Sequence, residues 1–263
     1  MRLWYQSFAR ATEFGPYAET LRATLRSSAD PGTEIEVHGI ERGGGVADDY
    51  RYIQYHDTAE VIENAIRAER EGFDAFLVGN IADPGLHEIR ELVRIPALGL
   101  CETSLHLACM MGRRYGMVTI NPKFNTRIME NIKFYGLTEQ LASVQRMAIP
   151  KITSLGEGFA PGPAQDAIIG QFTEAGRKCI EEGAEVLIAA GGVVMQLLSH
   201  AGIREIDGAP ILDGVPALIK MGEMAVKLQA ILGTFTSKVL TYAPPTGGVL
   251  EEIRRFYGDE MYR

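Results

Sequence analysis

Short runs of apolar residues recur along the chain, separated by longer stretches in which apolar positions return every three or four residues. Unbroken runs suit strands buried on both faces, and the longer period suits amphipathic helices. Their alternation predicts parallel sheets with helices packed against them, an α/β fold. Strands are expected at residues 3–6, 35–39, 75–79, 97–100, 115–120, 186–190 and 210–212. Val61, Ile62, Ala65, Ile66 and Ala68 predict a helix over 58–71, which Asp57 or Thr58 could cap. Ala167, Ile168, Phe172, Ala175, Cys179 and Ile180 predict another ahead of the strand at 186.

One segment occurs twice. Glu71-Gly72-Phe73-Asp74-Ala75-Phe76-Leu77-Val78-Gly79-Asn80 aligns without a gap on Glu182-Gly183-Ala184-Glu185-Val186-Leu187-Ile188-Ala189-Ala190-Gly191. Each copy reads as a helix end, a glycine cap, an acidic residue and a buried strand. The following strand repeats too, since Ile95-Pro96-Ala97-Leu98-Gly99 resembles Ala209-Pro210-Ile211-Leu212-Asp213. Two α/β units of one design are therefore expected. Ligands of open parallel sheets bind beyond the carboxyl ends of the strands, so Asn80, Ile81, Ala82 and Asp83 on one side and Gly191, Gly192 and Val193 on the other become the candidate site.

Composition narrows the functional classes. The chain has 263 residues, a net charge of −8 and no dense cluster of Lys and Arg, which argues against a general nucleic-acid surface. Its amino terminus, Met1-Arg2-Leu3-Trp4, lacks the apolar stretch of a secretory signal, and no apolar run approaches the length of a membrane span. A cytoplasmic protein with a small-molecule substrate is expected, with neither nucleic acid nor membrane as partner, and a homo-oligomer is left open. Cys101, Cys109 and Cys179 form neither a disulfide framework nor a zinc spacing, so three reduced thiols are expected.

With these strands in place, Asn80-Ile81-Ala82-Asp83-Pro84-Gly85-Leu86 resembles the first active-site turn of the aspartate/glutamate racemase superfamily, in its hydantoin racemase-like branch. Gly183 to Val194 resembles the second turn, and Ala209-Pro210-Ile211-Leu212-Asp213-Gly214-Val215 the strand leading to the closing helix. The resemblance implies two similar Rossmann-like three-layer domains related by a pseudo-twofold axis, here 1–103 plus 215–263 and 104–214, with the active site in the cleft between them. It also implies no organic cofactor and no metal, and two opposed cysteines that remove and return a proton on the two faces of a carbon acid. This sequence carries Asn80 where the first cysteine belongs and Gly191 where the second does. An amide has no useful acid–base pKa near neutrality and glycine has no side chain, so the two-thiol mechanism does not transfer.

Other residues carry two readings each. Asn80 could stabilise an enolate oxygen or serve only as a turn residue. Gly191 and Gly192 could offer backbone N–H groups to an anion or form only a tight turn. Cys101 and Glu102, after the strand at 97–100, are candidates for proton transfer, against a buried thiol and a carboxylate favoured by the helix dipole. Gln6 and Ser7, after the first strand, and Thr119 could hold a substrate by hydrogen bonds. Asp83 reads as the N-cap of its own helix, with Pro84 at the first helical position. His87 and His106 lie within helical patterns, where surface or packing roles are expected, and Cys109 and Cys179 read as core. Gly43-Gly44-Gly45 could form a flap, with Tyr50, Tyr52 and Tyr55 near the entrance. The resulting expectation is a cofactor-independent enzyme of racemase type acting on a small carboxylate, amide or hydantoin-like carbon acid. A hydrolase, lyase or decarboxylase using the same pocket, or a non-catalytic binder, is the alternative.

Overall fold

A computed structural model describes residues 1–10, 15–44 and 50–262. The first sheet contains β1 (Arg2–Gln6), β2 (Glu34–His38), β3 (Ala75–Val78) and β4 (Ala97–Gly99) in the order β2-β1-β3-β4, all parallel. The second contains β5 (Tyr115–Thr119), β6 (Leu141–Arg146), β7 (Val186–Ala189), β8 (Glu205–Ile206) and β9 (Ala209–Leu212) in the order β6-β5-β7-β9-β8. Only β8 runs antiparallel, against β9. Matching β2-β1-β3-β4 to β6-β5-β7-β9 puts the duplicated segments in equivalent places: β3 on β7 and β4 on β9. The two-unit α/β architecture read from the repeat is therefore present.

The sheets are buried as parallel strands require. Every residue of β3, β5 and β7 is buried. Alternation then sorts the side chains of the first sheet. Trp4, Phe76 and Val78 pack beneath α2 (Arg51–Arg70) and α3 (Leu86–Leu92) with Val61, Ala65 and Ile89. Leu3, Tyr5, Ala75 and Leu77 face the other way, into a core that continues through Leu100 and Leu218 to Leu105, Met117 and Leu187 of the second half. Helix α4 (Leu100–Met111) leaves β4 directly and leads into β5, tying the halves together. Helix α8 (Gly214–Leu232) returns to the first sheet, where Gly222 lets its backbone lie on Leu77; a Cβ there would meet the Leu77 side chain at 3.0 Å.

Three local differences from expectation have physical reasons. Helix α2 begins seven residues before the expected start, and Asp57 and Thr58 lie inside it rather than at its cap. Thr58 Oγ1 instead bonds back to the Gln54 carbonyl at 2.6 Å. The early turns escaped the apolar pattern because Tyr52 and Tyr55 face solvent. Strand β6 was not expected at all: it is a half-buried edge strand, LASVQR, with no apolar run. Gly43 and Gly44 are described, whereas Gly45 of the expected flap lies outside the described residues.

Candidate active site

Helices α1 (Gly15–Ser28), α5 (Pro122–Phe134) and α7 (Gly192–His200) complete the surroundings of the cleft. A pocket of about 640 Å³, counted with its open mouth, lies where the carboxyl ends of β1, β3, β5 and β7 meet. Ser7 and Ala9 follow β1, Asn80 and Ile81 follow β3, and Gly191, Gly192 and Val193 follow β7 along its wall. Tyr17 of α1, Phe124 of α5, and Ile152 and Leu155 of a 3₁₀ segment close the remaining sides.

The first turn is held with little freedom. Gly79 must be glycine, because a Cβ would lie 2.5 Å from the Tyr5 hydroxyl. Asn80 Oδ1 accepts the Ala82 N–H at 2.8 Å and its carbonyl accepts the Asp83 N–H at 3.0 Å, so Asn80 both makes the turn and lines the pocket. Asp83 does not cap α3, whose N-cap is Gly85. Its carboxylate instead crosses to α4 and accepts the Cys101 and Glu102 N–H groups, each at 2.8 Å, along with the Tyr135 hydroxyl at 2.8 Å. The opening N–H groups of a helix have no partner within it, which explains the attraction. Burial nevertheless pushes the Asp83 pKa up to about 7, against the pull of those donors. Asn131 Nδ2 bonds the Ala82 carbonyl at 3.0 Å, so α5 and Tyr135 brace the turn from the second half.

The second turn depends on glycine. Gly191 has φ 152° and ψ 130°, and a Cβ there would find nothing within 4 Å. Space is available for a side chain, but the backbone conformation suits glycine. Helix α7 starts at Gly192 with no side-chain cap, leaving the N–H groups of its first turn to whatever occupies the pocket. A Cβ on Gly192 would stand 3.4 Å from the Tyr17 hydroxyl, which places that phenol against the turn.

Of the residues singled out from sequence, Ser7, Asn80, Ile81, Gly191, Gly192 and Val193 line one pocket, whereas Gln6, Cys101, Glu102 and Thr119 do not. Gln6 is fully buried, accepting from Trp4 Nε1 and Asn64 Nδ2 at 3.1 Å and donating to the Ser7 carbonyl at 2.9 Å. Cys101 is fully buried, and burial with the nearby Asp83 raises its thiol pKa well above the ordinary value, which keeps it protonated. Glu102 is gripped by Arg90 through two bonds of 2.9 and 2.5 Å. Thr119 is buried and donates to Asn125 Oδ1. Cys179 is in the core and Cys109 is half-buried on α4. His87 contacts the Tyr242 hydroxyl at 2.8 Å outside the pocket, and His106 is exposed. Tyr50 lies under the Lys123 ammonium at 4.0 Å, and Arg51 pairs with Glu130 at 2.7 Å, so the start of α2 reaches α5 across the two halves. Among the described residues no three His, Cys, Asp or Glu side chains converge as metal ligands.

Sequence reasoning missed Tyr17, Phe124, Ile152 and Leu155. Tyr17 enters from the helix after β1, and extending the strand-end rule from the loop into that helix's first turn would have found it.

Over 220 residues, 84% of this chain and 83% of the relative, the sequence is 31% identical to a hydantoin racemase of Pseudomonas sp. (strain NS671). A hydantoin racemase of Paenarthrobacter aurescens is 31% identical over 72% of this chain and 75% of its own. Among solved structures, the allantoin racemase of Pseudomonas fluorescens matches the fold with a TM-score of 0.76 at 24% identity, covering 94% of this chain and 98% of that one. The Asp/Glu/Hydantoin racemase family model matches residues 16–222, a span containing both turns of the pocket, and the chain belongs to that family.

Proposed function

We propose that the chain is an enzyme for small carbon acids, binding a hydantoin-like ureide, amide or carboxylate between residues 1–103 plus 215–263 and residues 104–214. It loosens the C–H bond beside a carbonyl by stabilising the enolate, using groups other than cysteine thiols and no cofactor. The observation that carries this reading is the pocket wall itself. Asn80 and the opening residues of α7, Gly192 and Val193, line it, placed in this reading to face a developing oxyanion, while all three cysteines lie away from it. Fixed donors aimed at a developing charge are the largest single contribution in many such reactions. The relatives named as hydantoin and allantoin racemases support the substrate class, since both names describe cyclic ureides with an acidic ring carbon.

The test is hydrogen exchange in deuterated solvent with 5-substituted hydantoins and allantoin, followed by NMR of the ring hydrogen. The expected result is exchange above the uncatalysed background that persists after alkylation of every accessible thiol. A change of substrate mass without exchange would assign the pocket to hydrolysis or elimination instead, and binding with neither would make the chain a ligand-binding homologue.

A further inference from the structure

The pocket needs a group that moves the proton, and few of its side chains qualify. Among the described residues its walls are mostly glycine, alanine, aliphatic residues and phenylalanine; the exceptions are Ser7, Asn80 and Tyr17. Ser7 Oγ already accepts the Ala9 N–H at 3.1 Å, and neither an amide nor an unassisted serine hydroxyl titrates in a useful range. A phenol does. The Tyr17 hydroxyl also stands where it is needed, against Gly192 and beside the open space over Gly191. Behind it is a second phenol. Tyr5 is fully buried and its hydroxyl has no hydrogen-bond partner. That oxygen lies beside Gly79, which lines the pocket.

Building on the carbon-acid reading of this pocket, we infer that Tyr17 is its catalytic acid–base residue and acts alone, from the Gly191 face. The Tyr17 phenolate takes the hydrogen from the ring carbon as a proton. The C–H electron pair moves into the adjacent carbonyl, whose oxygen becomes the enolate held by Asn80 and the α7 N–H groups. The Tyr17 phenol exchanges its hydrogen with solvent and returns a proton to the same carbon on the same face. Among the described lining residues no second side chain is an acid able to return a proton on the other face. One enantiomer therefore exchanges its hydrogen and keeps its configuration, and racemisation lags behind exchange.

The test uses the separate enantiomers of one 5-substituted hydantoin in deuterated solvent, with the native chain and Tyr17→Phe. The substitution keeps the ring that packs edge-on against Phe159. The expected result is exchange of a single enantiomer with retention by the native chain, and a loss of at least about a hundredfold in kcat in Y17F with KM held within about threefold. Native-rate exchange by Y17F, or equal exchange of both enantiomers with loss of optical rotation by the native chain, overturns the role of Tyr17 and leaves the carbon-acid reading standing. The stereochemical arm needs no variant to fold. Absence of exchange by the native chain with any hydantoin or allantoin overturns both.

Discussion

At the scale of single residues, Asp83 has the most measurable consequence. Its folded pKa of about 7 lies above the ordinary carboxylate value of 3.8 because burial outweighs three hydrogen-bond donors. Between those values the folded chain holds a proton that the unfolded chain has released. The stability contributed by protonated Asp83 is thus complete below about pH 4 and is lost as the pH rises through about 7, with a slope of up to about 1.4 kcal/mol per pH unit. Urea denaturation at pH 5 and pH 8 should show the native chain losing more stability over that interval than Asp83→Asn; equal losses would contradict the buried proton. Gly191 makes a second prediction. Because its φ of 152° is unfavourable to residues with a Cβ, Gly191→Cys should destabilise the fold by about 1–3 kcal/mol even though the side chain enters open space. An unchanged melting temperature would show that the turn relaxes at little cost.

At the scale of elements, the Arg90–Glu102 pair locks α3 to the first turn of α4. Both side chains are largely buried, at 12% and 19% exposure, and Arg90 Nε also bonds the Ala97 carbonyl at 3.0 Å. Glu102→Gln keeps the shape and removes the charge, leaving Arg90 unpaired in a poorly solvated place, and should cost about 3 kcal/mol of stability. Turnover per folded molecule should hardly change. A large fall in kcat with normal stability would instead assign Glu102 to the chemistry.

The same scale shows what the sequence disclosed. Strands β3 and β7 were legible because strands buried on both faces read as unbroken apolar runs, and their duplication disclosed the two-unit plan. Strand β6 was illegible because an edge strand needs no such run, and the first turns of α2 because their tyrosines face water. In the pocket, Asn80 and Gly191 followed from the strand-end rule. Asp83 was assigned to the wrong helix because a cap reaching α4 across 18 and 19 positions leaves no local spacing to detect. Gln6 and Thr119 sit at strand ends beside the pocket, yet internal partners hold their side chains elsewhere, and sequence spacing does not reveal such partners.

At the scale of the molecule, one continuous core spans both sheets, and the first turn of the pocket is braced by α5 and Tyr135 from the other half. The pocket walls thus rest on a shared core and on hydrogen bonds between the halves, the kind of support that electrostatic preorganisation requires. No helix among the described residues is long and apolar enough to cross a membrane.

The most direct measurement of the central claim is a crystal structure with a 5-substituted hydantoin bound. The ring should lie in the cleft with a carbonyl oxygen facing Asn80 or the first N–H groups of α7, its acidic carbon should face the Tyr17 hydroxyl, and no cysteine should reach it. A ring bound outside the cleft, or one whose acidic carbon meets a cysteine sulfur, would contradict the account.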